Sequence, residues 1–124
     1  MNVVDSSAWL EYFADGPNAK YFSNPIEDTS QLVVPTLSIY EVFKKVLQQT
    51  DESRALQAIA LMQQGLVVEL GSSLALNAAK LSIKHKLPMA NSIILATSRA
   101  YDAILWTQDS HFKGLDGIKY HKKK

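Results

Sequence analysis

What most limits the possible folds of this chain is a set of short apolar runs: Val3-Val4, Leu32-Val33-Val34, Leu66 to Leu70 and Ala103-Ile104-Leu105-Trp106. They are held apart by stretches long enough for one or two helices. Runs that are apolar at nearly every position, rather than at alternate ones, suit strands covered on both faces. The intervening stretches carry apolar residues at helical spacing, as in Leu10, Phe13 and Ala14 after Ser6-Ser7, and Leu37, Tyr40, Val42 or Phe43 and Leu47 after Pro35. A third helix is predicted from Glu52 to Gln64, stopped by Gly65, a fourth from Ser72 to Lys86, and a fifth from Met89 to Tyr101 beyond the break at Pro88. The segment from Gly16-Pro17 to about Ser30 reads as partly helical and interrupted at Pro25. A short helix around Ser110 to Lys113 and a weak last strand near Ile118 to Tyr120 complete the pattern. Such alternation predicts a parallel sheet with helices on both faces. Right-handed crossovers then bring the C-terminal ends of the strands to one edge, where open α/β sheets bind ligands.

A chain of 124 residues, 47% of them hydrophobic, suits one domain with a real core and needs no covalent staple. The absence of cysteine excludes a disulfide scaffold, a thiolate zinc site and a cysteine nucleophile, and it agrees with a reducing compartment. No apolar run approaches the ~20 residues of a membrane span. Met1 to Asp5 lacks the basic start and apolar stretch of a signal peptide, so the cytoplasm is the expected location. The net charge of +1 conceals an asymmetry: four basic residues face nine acidic ones up to residue 79, whereas nine face three from Lys80 onward. A basic second half points to a polyanionic partner. Its crudest part, Lys122-Lys123-Lys124, reads most simply as a solvated tail covering about residues 121–124.

The polar residues at the strand ends are therefore the ones to weigh. Asp5 ends the first run and Asp109 follows the fourth, so both face the same edge. Either alone is a good helix N-cap. Together they suit a hard cation, because magnesium and manganese prefer oxygen ligands and magnesium commonly takes only one or two carboxylates. Glu41 has two readings. In Ser38-Ile39-Tyr40-Glu41 it completes a capping box if the helix starts at Ser38, whereas a start at Thr36 puts it in the second turn and frees its carboxylate. Asn91 is an N-cap or first-turn polar residue whose amide oxygen is at best a weak, uncharged ligand. His85, His111 and His121 lack zinc-site spacing, and no nucleophile elbow, dinucleotide fingerprint or P-loop occurs.

Three segments carry a resemblance: Asn2-Val3-Val4-Asp5-Ser6-Ser7, Thr36-Leu37-Ser38-Ile39-Tyr40-Glu41-Val42, and Tyr101 through Thr107-Gln108-Asp109-Ser110-His111-Phe112. Their order and spacing resemble PIN domains of the VapC-type toxins found in prokaryotic toxin–antitoxin pairs, over about residues 1 to 120. The resemblance implies a three-layer α/β/α fold with a five-stranded parallel sheet in the order 3-2-1-4-5. It also implies a ribonuclease site dependent on Mg2+ or Mn2+, with Asp5, Glu41 and Asp109 as three of its acids and Ser6 and Thr107 as supporting hydroxyls. Asn91, in Leu87-Pro88-Met89-Ala90-Asn91-Ser92, stands where the family pattern has aspartate. Whether natural or introduced, that amide puts the metal affinity and activity of this chain in question.

The function expected on this basis is cleavage of RNA phosphodiesters, with Lys84, Lys86, Arg99 and Lys113 collecting the RNA backbone. The implied partners are a small cognate antitoxin and a second copy of the chain. Trp9, Tyr12 and Phe13, or Phe43 and Leu47, are candidates for the antitoxin groove, although aromatics at helical spacing more often belong to the core. The alternative is a PIN-like scaffold that binds antitoxin or RNA without cutting. A receiver-like signalling domain also fits a small parallel sheet, but it needs an aspartate after the third strand, where only Glu69 stands.

Overall fold

In a computed structural model describing residues 1–124, the strands are β1 (Asn2–Val4), β2 (Leu32–Pro35), β3 (Leu66–Val68), β4 (Ile104–Thr107) and β5 (Ile118–Tyr120). They form one sheet in the order β3-β2-β1-β4-β5, with every neighbouring pair parallel. Six helices connect them: α1 (Ser6–Phe13), α2 (Ala19–Glu27), α3 (Thr36–Gln49), α4 (Glu52–Met62), α5 (Ser72–His85) and α6 (Met89–Ala100). This is the expected α/β architecture and strand order. Its switch point lies at β1, which pairs with β2 on one side and β4 on the other.

Alternation along the strands divides the core in two. Val3, Val33 and Leu105 share one row of the sheet and face Ile94 and Leu95 of α6, with Leu87 and Phe112. Val4 and Trp106, paired in the next row, face the opposite side with Leu32 and Val34. There they meet Trp9 of α1, Phe22 and Ile26 of α2, Val42 of α3 and Met62 of α4. Both faces are covered, which is why the strands read as unbroken apolar runs. Each fully buried Val, Leu, Ile or Phe side chain contributes roughly 2 kcal/mol relative to exposure.

The second helix differs from expectation. α2 runs through Pro25 instead of being interrupted by it. Pro25, the seventh residue of α2, has no N–H to donate to Tyr21 O, so the helix runs past it with one bond fewer, and Pro25 and Ile26 are both buried. β3 also stops short, at Val68, because Glu69 and Leu70 are exposed. β4 extends one residue further than the apolar run, to Thr107, which pairs with Tyr120.

Candidate active site

Asp5 follows β1 and caps α1, and both of its carboxylate oxygens are engaged. Oδ1 accepts the Ser6 N–H at 2.8 Å, and Oδ2 accepts the hydroxyls of Ser7 at 2.7 Å and Thr107 at 2.9 Å. The residue is only 4% exposed. Burial raises its pKa above the usual carboxylate value, and the nearby negative charge of Asp109 adds to the rise despite these hydrogen bonds. That contribution places the two aspartates close enough to repel. The N-cap reading and the shared-edge reading of Asp5 therefore both hold.

Asp109 lies two residues beyond the end of β4 and caps a short 3-10 turn, Ser110–Phe112. Its N–H donates to Thr107 Oγ1 at 2.9 Å. One carboxylate oxygen accepts the His111 N–H at 2.9 Å and lies 2.8 Å from His111 Nδ1, while the other accepts Asn91 Nδ2 at 2.9 Å. Partial burial works to raise its pKa, but the bonds from the His111 backbone, Asn91 and the His111 ring outweigh burial and lower it. Asn91 comes from the first turn of α6. Before that turn, α5 ends on Lys86 in the left-handed conformation (φ 55°), Leu87 N–H donates to Ser82 O, and Ser82 Oγ to Leu87 O, so the connection is tightly folded.

The start of α3 decides between the two readings of Glu41. The helix begins at Thr36, so Glu41 falls in the second turn and no capping box forms with Ser38, whose buried hydroxyl has no partner. Glu41 Oε1 instead accepts the Ser6 hydroxyl at 2.7 Å. An unbroken run of hydrogen bonds thus links Glu41, Ser6, Asp5, Thr107, Asp109 and Asn91. The predicted acids and supporting hydroxyls all belong to it. Ser7 and His111 belong to it as well and were not singled out as supports; the signal for Ser7 was the Ser-Ser pair directly after Asp5, since a first-turn hydroxyl can reach back to a capping carboxylate.

No lysine or arginine pairs with Asp5, Glu41 or Asp109; the ion pairs are Arg54 with Asp51 at 4.0 Å and His111 with Asp109 at 2.8 Å. Three acidic or imidazole side chains do not converge on one point. Ser6 stands between Glu41 and Asp5, bonded to both. The donor set still fits a hard cation: all the carboxylates offer oxygen, Asp5 is buried without a compensating positive charge, and two protein carboxylates suffice for magnesium. Asn91 fits less well, since it turns its amide nitrogen toward Asp109.

Two clefts adjoin these residues. One, of about 700 Å³, runs beside α1, α3 and α4 and is lined by Leu10, Phe13, Lys45, Arg54 and Leu61, among others. The other, of about 430 Å³, is lined by Ser7, Gln108, Asp109, Ser110, Tyr120, Lys122 and Lys123. Lys84, Lys86, Arg99 and Lys113 are exposed and line neither. Of the groove candidates, Trp9 is fully buried, Tyr12 and Phe43 pack against the core, Leu47 is exposed outside both clefts, and Phe13 lines the larger one. No helix is long and apolar enough to cross a membrane.

Comparison with known proteins agrees with the fold. A family model described as PIN domain matches residues 3–118. Among curated proteins there is no sequence match. The fold is shared with a toxin–antitoxin complex from Klebsiella pneumoniae, at 19% identity and TM-score 0.84, covering 99% of this chain and 100% of that one. It is also shared with VapC20 of Mycobacterium tuberculosis, a sarcin-ricin loop cleaving toxin, at 13% identity and TM-score 0.78, covering 94% and 95% of the two chains. A third similar structure is VapBC2 from Rickettsia felis bound to a DNA fragment from its promoter, at 8% identity and TM-score 0.74, covering 98% and 97%. With a family match along nearly its whole length and the matching sheet order around its acidic strand ends, the chain belongs to the PIN domain family.

Proposed function

We propose that the chain is a magnesium- or manganese-dependent endoribonuclease that serves as the toxin of a toxin–antitoxin pair. The observation that carries this reading is the run of hydrogen bonds from Glu41 through Ser6, Asp5 and Thr107 to Asp109 and Asn91, which gathers carboxylates that no lysine or arginine pairs with around the ends of neighbouring strands. Asp5, Asp109 and Glu41 would hold the cation, with Asn91 contributing its amide oxygen. Such an ion, when bound, activates a water and neutralises charge developing on an RNA phosphodiester. The protein's own part is orientation. Ser7 and Thr107 fix the Asp5 carboxylate, Ser6 fixes Glu41, and His111 fixes one oxygen of Asp109. Cations on the second half of the chain, Lys84, Lys86, Arg99 and Lys113 among them, would attract the RNA backbone electrostatically.

Partners follow from the same reading. The neighbouring fold in a toxin–antitoxin complex and the cleft beside α1, α3 and α4 support a small antitoxin as binding partner. The active form would be a homodimer in the cytoplasm. Sizing of the isolated chain and co-purification from its native operon test both associations.

A second reading, a PIN scaffold that binds antitoxin or RNA without cutting, is favoured by one contact: Asn91 Nδ2 on Asp109 Oδ2, where a ligating group would present oxygen outward. RNA cleavage measured with magnesium, with chelator, and after Asn91→Asp separates the two. Metal-dependent cleavage that rises with Asn91→Asp supports the nuclease. If neither form cuts any structured RNA with magnesium, the enzymatic reading fails and the scaffold stands.

A further inference from the structure

A run of lysines at a chain end is ordinarily free in solvent, yet here the backbone leading into it is tied down at successive residues. His121 N–H donates to Thr107 O at 2.9 Å, prolonging the β4–β5 pairing by one bond, and the His121 ring stacks on Tyr21 of α2 with centroids 4.2 Å apart. Asn18, just before α2 and 1% exposed, uses its side-chain Nδ2 twice, donating to Lys122 O and to Gln108 Oε1, each at 3.0 Å. Gln108 lies between Thr107 and Asp109, so one buried amide clamps the tail to the strand end that carries the acids. The clamp places Lys122 and Lys123 in the wall of the cleft that also contains Asp109, and Lys123 in the wall of the larger cleft as well.

Neither lysine forms an ion pair with Asp109 or with any other acid. Two lysines thus line a cleft shared with Asp109, and neither is paired with an acid. A phosphodiester chain is the ligand whose chemistry suits that arrangement: a scissile phosphate at the acids needs its neighbouring phosphates balanced, and flexible lysines serve as point charges for phosphate.

We propose that Lys122 and Lys123 bind the RNA backbone next to the acidic site and that Asn18 is the positioning residue that holds them there. The inference rests on RNA being the substrate. It is tested with the full-length protein and a fluorescent single-stranded oligoribonucleotide, in chelator so that binding is read without cleavage. Lys122→Gln/Lys123→Gln weakens binding by about tenfold at low salt and flattens the log affinity against log salt plot by about 1.4, roughly 0.7 for each lost phosphate contact. Lys20→Gln/Lys44→Gln, exposed and outside both clefts, changes both much less, and an unchanged melting temperature shows that each variant is folded. Asn18→Asp, which cannot donate to Lys122 O at neutral pH, weakens binding and speeds tryptic cleavage after Lys122, whereas wild-type affinity for that variant removes Asn18 from the proposal. Unchanged affinity and salt slope in the tail variant, an equal loss in the Lys20/Lys44 variant, or no binding by the wild type overturns the proposal. Binding through the tail without magnesium-dependent cleavage would leave it intact and remove the nuclease reading; magnesium-dependent cleavage with an unchanged KM in the neutral-tail variant would do the reverse.

Discussion

The Ser6 hydroxyl donates to Glu41 Oε1 at 2.7 Å while the Ser6 N–H donates to Asp5 Oδ1 at 2.8 Å, so a single small residue joins the acid of α3 to the acid at the end of β1. A partly buried hydrogen bond to a charged group contributes more than a neutral one. A double-mutant cycle on Ser6→Ala and Glu41→Gln, read by urea unfolding, is expected to give a coupling of about 1 kcal/mol. Strict additivity would mean that the bond contributes nothing and that Glu41 is held by other contacts.

The two aspartates shift in opposite directions, and their pH signatures differ in sign. Asp5 has a raised folded-state pKa because of burial, so protonation favours the folded state: its contribution is fully present below the ordinary value of 3.8 and is lost as pH rises through the folded pKa. Wild type should therefore gain stability relative to Asp5→Asn as pH is lowered from 7 towards 4. Asp109 has a lowered pKa, so its contribution is present above 3.8 and fades as pH falls through the folded value. Wild type should lose ground to Asp109→Asn as pH falls from 3.8 through that value. Denaturant midpoints across this range check both signs, and curves running parallel for Asp5→Asn would refute the first.

Magnesium should stabilise the folded chain if the acids form a cation site. At a concentration ten times its dissociation constant the gain is about 1.4 kcal/mol, seen as a higher melting temperature than in potassium at matched ionic strength. Asp5→Asn and Asp109→Asn should each abolish most of that gain. Equal melting temperatures in the two salts would dismiss the site.

Position 91 should couple stability to metal. In chelator, Asn91→Asp replaces an amide donor on Asp109 by a second negative charge and is expected to cost about 1–2 kcal/mol. Magnesium should reverse the deficit and raise the variant's melting temperature by more than it raises that of wild type. A variant that is as stable as wild type in chelator contradicts the assignment of the contact as stabilising.

Much of the fold was legible because β1, β2 and β4 are buried on both faces, which writes them as runs of valine, leucine and isoleucine without ambiguity. The aspartates were legible for a related reason, since a polar residue directly after such a run must sit at the sheet edge. Pro25 misled because it removes a single helical bond, while the burial of Pro25 and Ile26 depends on packing that the pattern between Gly16 and Ser30 does not mark. Glu41 was undecided because Ser38 and Thr36 are both plausible starts; the helix begins at Thr36, and Ser6, the partner of the freed carboxylate, lies 35 residues away. The clamp on the tail was invisible for the same cause at greater range: Asn18 meets Lys122 across 104 positions and Gln108 across 90. Local sequence announces caps and strands, whereas a side chain whose partner is contributed from the far end of the chain looks like any polar loop residue.

The pairing of β1 with β4 also fixes a moment in the life of each molecule. Asp5 and Glu41 are synthesised before Thr107 and Asp109, which complete their surroundings. A nascent chain on the ribosome can assemble β1, β2 and β3 with their helices and still lack the strand beside Asp5. Any chemistry that requires both aspartates therefore waits until β4 has been made and has docked beside β1.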